Sequence, residues 1–175
     1  TTDAPGKQPE RVRAIFDEVR ADGRKTLLGS ESAAVAKAYG IPVPVLRLAK
    51  SADEAVQFAN EAGYPIVLKV ASPEILHKTE VGGIKVGLKD AEAVRQGFNT
   101  IMASVTEKAP EARVYGIEVQ YMLPSGRECI VGVSQDPTFG PMLMFGLGGI
   151  YVNLMQDVSF RLAMGLTRAE VEKMV

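Results

Sequence analysis

The run Ile66-Val67-Leu68-Lys69-Val70 limits what this chain can fold into more than any other five residues. Bounded by Gly63 and Pro65 on one side, it reads as a short strand of the buried type. Yet a lysine sits near its middle. An unpaired ammonium is costly to bury, so Lys69 is expected to project into a cleft or to carry its head out to water. A strand of this kind also needs covering layers, and the flanking stretches supply helices for them.

Val12, Ile15, Phe16 and Val19 recur at helical spacing, which predicts an amphipathic helix over 10–21 ended by Gly23. Ser30 fits the N-cap of a second helix running to Tyr39, with Gly40 and Pro42 as its stop. After a short strand over 43–49, Ser51 and Glu54 form a capping box. Ala55, Phe58, Ala59 and Ala62 follow on one face, and Gly63 closes that helix. Residues 83–89 alternate as a half-exposed strand does. Asp90 then caps a helix whose stripe is Val94, Phe98, Ile101, Met102 and Val105. From 114 onward the period changes to two: VYGIEVQYM and ECIVGVS flank the turn Leu123-Pro124-Ser125-Gly126. A second turn spans Asp136 to Pro141, IYVNLM (150–155) reads as a strand, and Thr167 with Glu170 caps a last helix. The expected class is α+β (α/β): residues 1–9 a disordered lead-in or linker, then two lobes over roughly 24–113 and 114–175. The capped helix at the end has too few residues to finish its stripe, so a fragment of a longer protein is expected.

Composition narrows the function. A net charge of −1, with Lys and Arg scattered, leaves no basic footprint for nucleic acid. No run of 18 apolar residues suggests a membrane span. One cysteine, Cys129, rules out an internal disulfide and fits a reducing, cytoplasmic setting. Its alternation with Glu128 and Ile130 predicts a small buried hydrophobe. One histidine and one cysteine make a zinc site of the usual ligand sets untenable.

The single histidine, His77, stands in SPEILHKTEVGG, directly after the lysine-bearing strand. Three roles are open to it: a surface residue, a general base, or a nucleophile that carries a phosphoryl group through a ring nitrogen. Lys69 can act as a point charge on phosphate, or lay its stem on the core with its head in water. Gly82 and Gly83 can bring backbone N–H groups to an anion, or simply turn the chain into the next strand. GLGG (146–149) is followed by a strand pattern and lacks a third glycine, so it is not a dinucleotide fingerprint. Among the acids beside second-half strands, Glu118, Glu128, Asp136 and Asp157, those facing inward suit ribose hydroxyls or Mg²⁺.

In order, the segments YGIPVP, GYPIVLKV, SPEILHKTEVGGI, GIEVQYM, GRECIVGVSQDPTFGPMLMFGLGGIYV and DVSFRLA resemble the ATP-grasp domain of the NDP-forming acyl-CoA synthetases, such as acetate–CoA ligase (ADP-forming). The resemblance spans 27–175. It implies an ATP-grasp fold, two α+β lobes with ATP between them, and the reaction of acid, CoA and ATP to acyl-CoA, ADP and phosphate, or its reverse. It places a phosphohistidine at His77, on a mobile loop near Lys69, Gly82 and Gly83. It brings adenine to the strand Glu118–Met122, with Gln120, Tyr121 and Met122 at its edge, and makes Glu128 a candidate for ribose or Mg²⁺. ATP and Mg²⁺ are the implied cofactors. A CoA-binding, CoA-ligase subunit or fused domain is the implied partner, with CoA and a small organic acid as substrates. Two departures stand out. Asn153 occupies a position where family members commonly have glutamate, and Met164-Gly165 stands where they often have proline. The family's C-terminal segment, which supplies Mg²⁺ ligands, is expected to be missing, so the metal ligands stay unassigned. A related ATP-grasp region fused to protein acetyltransferases gives the alternative, a regulatory module that does not turn over.

Overall fold

A computed structural model describes residues 8–149 and 158–175, in two compact units that divide between Leu123 and Pro124. Most of the lead-in, the strand expected at 150–155, Asn153 and Asp157 lie outside the described residues. No helix among the described residues is long and apolar enough to cross a membrane.

The first unit contains α1 (Pro9–Ala21), α2 (Gly29–Ala38), β1 (Leu46–Ala49), α3 (Ala52–Ala62), β2 (Ile66–Ala71), β3 (Ile84–Leu88), α4 (Ala91–Lys108) and β4 (Gly116–Tyr121). Its strands form one antiparallel sheet in the order β1-β4-β2-β3. The capping residues act as their chemistry predicts: the Ser51 side chain accepts from the Glu54 N–H, and that of Asp90 from the Ala93 N–H. Helices α3 and α4 cover one face of the sheet. Ala55, Ala59, Val94, Phe98, Ile101 and Val105 meet Ile66, Leu68, Val70, Ile117 and Val119 in a single core. Each fully buried Ile or Leu there contributes roughly 1.5–3 kcal/mol. At Gly97 an added Cβ would stand 3.1 Å from Leu88 and 3.3 Å from Leu68, so the glycine lets α4 lie close on the sheet.

The lobe boundary expected at 113/114 differs from this division. Strand β4 belongs to the first sheet, paired with both β1 and β2, and makes no hairpin with the strand after the turn. The physical reason is burial: Ile117 is fully buried and Val119 nearly so, both in the core that α3 and α4 cover. The second unit is a three-stranded antiparallel sheet, β5 (Cys129–Asp136), β6 (Gly140–Leu147) and β7 (Val158–Leu162), with α5 (Arg168–Glu172) after it. The Asp136 carboxylate accepts from the Thr138 and Phe139 N–H groups at 2.8 and 2.9 Å and shapes the β5–β6 turn. Cys129 is exposed, against the expectation of a buried thiol. It lies on an edge strand beside Val131 and Val133, which are exposed too.

Candidate functional site

Strand period sets the site. Paired residues in adjacent strands share a face, and the register sets Lys69 opposite Glu118 and Val67 opposite Gln120. Leu68 and Val70 belong to the core, so Lys69, Glu118 and Gln120 stand together on the other face. The Lys69 Nζ lies 3.5 Å from Gln120 Oε1, a weak contact to a neutral group, and no carboxylate among the described residues forms an ion pair with it.

Past β2 the chain forms the segment 72–83. It is anchored at both ends and open in the middle. At its end the Val70 N–H donates to the Gly83 carbonyl at 2.8 Å. Ile75 is buried in the core, and the Ser104 hydroxyl of α4 donates to the Val81 carbonyl at 2.8 Å. Between these points Leu76 is 73% exposed. His77 is exposed as well, and its ring makes no hydrogen bond among the described residues. It borders an open cavity of about 610 Å³ together with Leu76, Glu80 and residues 109–112 after α4.

The glycine pair has a role other than the one expected of it. The Gly82 and Gly83 N–H groups donate to the Thr79 and Lys78 carbonyls at 3.1 and 2.7 Å, so neither is free for an anion in this conformation. The residues must be small for packing. Gly82 has φ +67°, and an added Cβ would come within 2.6 Å of Ser104 Oγ; at Gly83 it would meet Val70 Cγ1 at 2.6 Å. Met122 is similar: its N–H donates to the Pro65 carbonyl at 2.8 Å, and Tyr121 is paired with Ile66 in the sheet.

Glu118 is buried at the entry to α2. At 3% exposed, its carboxylate accepts from the Ser30 N–H at 2.8 Å, and an added Cβ at Gly29 would stand 2.5 Å from Oε2. The first turn of α2 is therefore built onto a side chain from β4. Ser30 is in that turn rather than at the cap, and the Leu28 N–H donates to Glu31 Oε2 at 2.7 Å. Burial pushes the Glu118 carboxyl up, against the Ser30 hydrogen bond and the charges of Lys78 and Lys69, which pull it down. Glu128 lies in the second unit. Its carbonyl accepts from the Gly148 N–H at 2.8 Å, and its carboxylate lies beside Gly149, where an added Cβ would be 2.9 Å from Oε2.

A polar cluster that sequence reasoning did not find attaches the first two helices to the sheet. Asp22 accepts from the Tyr115 hydroxyl, from Arg24 at 2.6 Å and from Arg113 at 2.7 Å. Those three bonds, Tyr115 foremost, hold its carboxyl down at about 2. Both guanidiniums also lie over the Tyr115 ring, at 4.9 and 4.5 Å. Arg113 and Tyr115 lie 91 and 93 residues from Asp22 in sequence, so the cluster carries no local signature. No group of three or more His, Cys, Asp or Glu among the described residues is arranged to hold a metal.

A family model described as an ATP-grasp domain matches residues 18–175. Over 165 residues the chain is 44% identical to the beta subunit of acetate–CoA ligase (ADP-forming) I of Pyrococcus furiosus, taking in 94% of this chain and 70% of that subunit. It is 42% identical over 166 residues to acetate–CoA ligase (ADP-forming) I of Archaeoglobus fulgidus, which covers 95% of this chain but only 24% of that longer protein. Among solved structures it is similar to the dinucleotide-forming acetyl-coenzyme A synthetase 1 of Ca. Korarchaeum cryptofilum in complex with coenzyme A and Ca-AMPCP. The TM-score is 0.87 at 46% identity, covering 93% of this chain and 70% of that one. A second structure of that protein holds coenzyme A and Mg-AMPPCP, with its phosphohistidine segment pointing towards the nucleotide binding site. Its TM-score is 0.76 at 41% identity, over 93% of this chain and 68% of that one.

Proposed function

The chain belongs to the ATP-grasp domain family, among the ADP-forming acetate–CoA ligases, and we propose that its His77 is the phosphoryl carrier of such a ligase. The reaction assigned is that of an organic acid, CoA and ATP to acyl-CoA, ADP and phosphate, in either direction. The observation that carries this reading is the segment 72–83: a lone imidazole, exposed and without a hydrogen-bond partner among the described residues, on a stretch tied down at Ile75, Val81 and Gly83. A group that must meet one reactant and then another needs such a free tip on a fixed base.

Chemically, a ring nitrogen of His77 attacks the γ-phosphorus of ATP. The N–P bond forms, the bond to the bridging oxygen breaks, and ADP leaves with the electron pair. Passing the phosphoryl group to the acceptor on the CoA-ligase partner then breaks the N–P bond and restores the imidazole. Such transfers rest mainly on positioning and charge neutralisation. Lys69 is assigned to the nucleotide phosphates, and Gln120, on the same face, orients its ammonium. The backbone around Tyr121 and Met122, and Glu128 in the second unit, are assigned to the rest of the nucleotide, with Gly82 and Gly83 kept as the turn that shapes the His77 segment. Glu118 is given no contact with it. Magnesium is expected to accompany the nucleotide, as in the Korarchaeum protein's complex. The described residues do not make a metal site by themselves, so no step is assigned to it.

His77→Asn in the full-length chain, assayed with its CoA-binding partner, tests the reading. Acyl-CoA formation should fall by about a thousandfold or more, as expected for a missing nucleophile, while ATP binding is retained. An Asn variant that keeps a tenth of the activity would point instead to a ligase that hands phosphate directly to its substrate.

A further inference from the structure

We infer that Glu118 is a positioning residue for the His77 segment, an assignment that rests on the phosphoryl-carrier reading of His77 for its role in catalysis and on geometry for its mechanical part. Among the described residues the buried polar side chains are Ser72 and Glu118, at 5% and 3% exposed. Both border the same cavity, of about 90 Å³, closed by Leu28 and Gly29 on one side and by Ile75 and Lys78 on the other. One wall of this cavity is thus the entry to α2 and another is the base of the segment that carries His77.

Holding the first turn of α2 uses only part of what a carboxylate can do at this place. A carboxylate has about four acceptor sites; the Ser30 N–H at 2.8 Å and the Gly29 N–H fill about two, which leaves about two open. An apolar side chain of similar volume is often as stabilising as a buried charge, or more so. The charge gains a purpose from what faces it. Lys78 lies across the cavity, and its own hydrogen bond, to the Ile75 carbonyl, is long at 3.4 Å. A gap of this size admits water, which can bridge the two groups, and the low dielectric strengthens their attraction. Lys78 flanks His77, and its carbonyl accepts from the Gly83 N–H at 2.7 Å. Whatever holds Lys78 therefore fixes the base of the segment, leaving Leu76 and His77 as the moving tip. Through Ser30 the same carboxylate fixes α2, so one side chain of β4 sets the spacing of both.

Glu118→Gln keeps the volume and an acceptor for Ser30 while removing the charge. In the full-length chain with its CoA-binding partner, amide hydrogen exchange over 74–82 should speed up by about tenfold, with little change over 26–32. The kcat for acyl-CoA formation should fall while KM for ATP holds. Lys78→Gln should produce the same exchange pattern, and the double variant no more than either single one. If Glu118→Gln does not fold, Lys78→Gln carries the exchange test by itself. Faster exchange confined to 26–32 would reduce Glu118 to a helix cap and overturn the inference. So would additive effects of the two variants, or a raised KM for ATP with unchanged exchange. The exchange readout needs no phosphohistidine. If His77 is never phosphorylated, the carrier reading fails while the exchange result still decides whether Glu118 holds the segment.

Discussion

Leu68 and Lys69 are neighbours in one strand, yet they face different tasks. Leu68 is fully buried under α3 and α4, among side chains that do nothing but exclude water. Lys69 turns to the opposite face with Glu118 and Gln120, where the charges of the first unit's central strands gather. The period-two geometry of a strand allows this division. One face of β2 and β4 is given to stability, which leaves the other free for groups that would weaken a core. The segment after β2 repeats the contrast along its length: Ile75 is buried, Leu76 and His77 are exposed.

This contrast can be broken at defined places. The largest expected effect is on the helix face. Leu68→Ala should destabilise the first unit by about 2–5 kcal/mol, seen as a lower midpoint in urea unfolding, while ATP affinity of the remaining folded protein stays the same. A large loss of affinity with normal stability would mean that the two faces are not separate. On the other face, Lys69→Met should leave the unfolding midpoint almost in place and weaken ATP binding about 10–100-fold, by roughly 1.5–3 kcal/mol of charge-assisted hydrogen bonding, read by calorimetric titration. An unchanged Kd would remove Lys69 from the nucleotide site.

A smaller effect is expected at the join between the first two helices and the sheet. The Asp22 carboxyl is lowered from 3.8 to about 2 by Tyr115, Arg24 and Arg113. Its contribution is therefore complete above pH 4 and is lost as pH falls through about 2. Asp22→Asn should flatten the acid limb of the stability curve over that window, and an unchanged limb would place the acid sensitivity elsewhere. Glu118 has the opposite sign. Its carboxyl is raised by burial, so its contribution is greatest at acid pH and declines as pH rises past the ordinary carboxylate range.

The parts of this architecture that local chemistry determines were readable from the sequence. Ser51, Asp90 and Thr167 each cap the helix their position announces, and a lysine inside an apolar strand does face away from the core. Long-range pairings were not readable. The turn residues Leu123–Gly126 look like a hairpin, but β4 pairs with β1 and β2 because Ile117 and Val119 need a core. The α2 cap comes from Glu118, 88 residues away from Ser30. Gly82 and Gly83 show the limits of motif reading: flexible glycines suggested open donors, and close contacts with Ser104 and Val70 explain them.

The most direct test of the account is a chase of γ-labelled ATP with the full-length chain and its CoA-binding partner, quenched in alkali and mapped by peptide. Acid-labile, alkali-stable label should appear on the peptide containing His77, disappear when CoA and an organic acid are added, and be absent from His77→Ala. ATP turnover that releases labelled phosphate without label ever appearing on that peptide would contradict it.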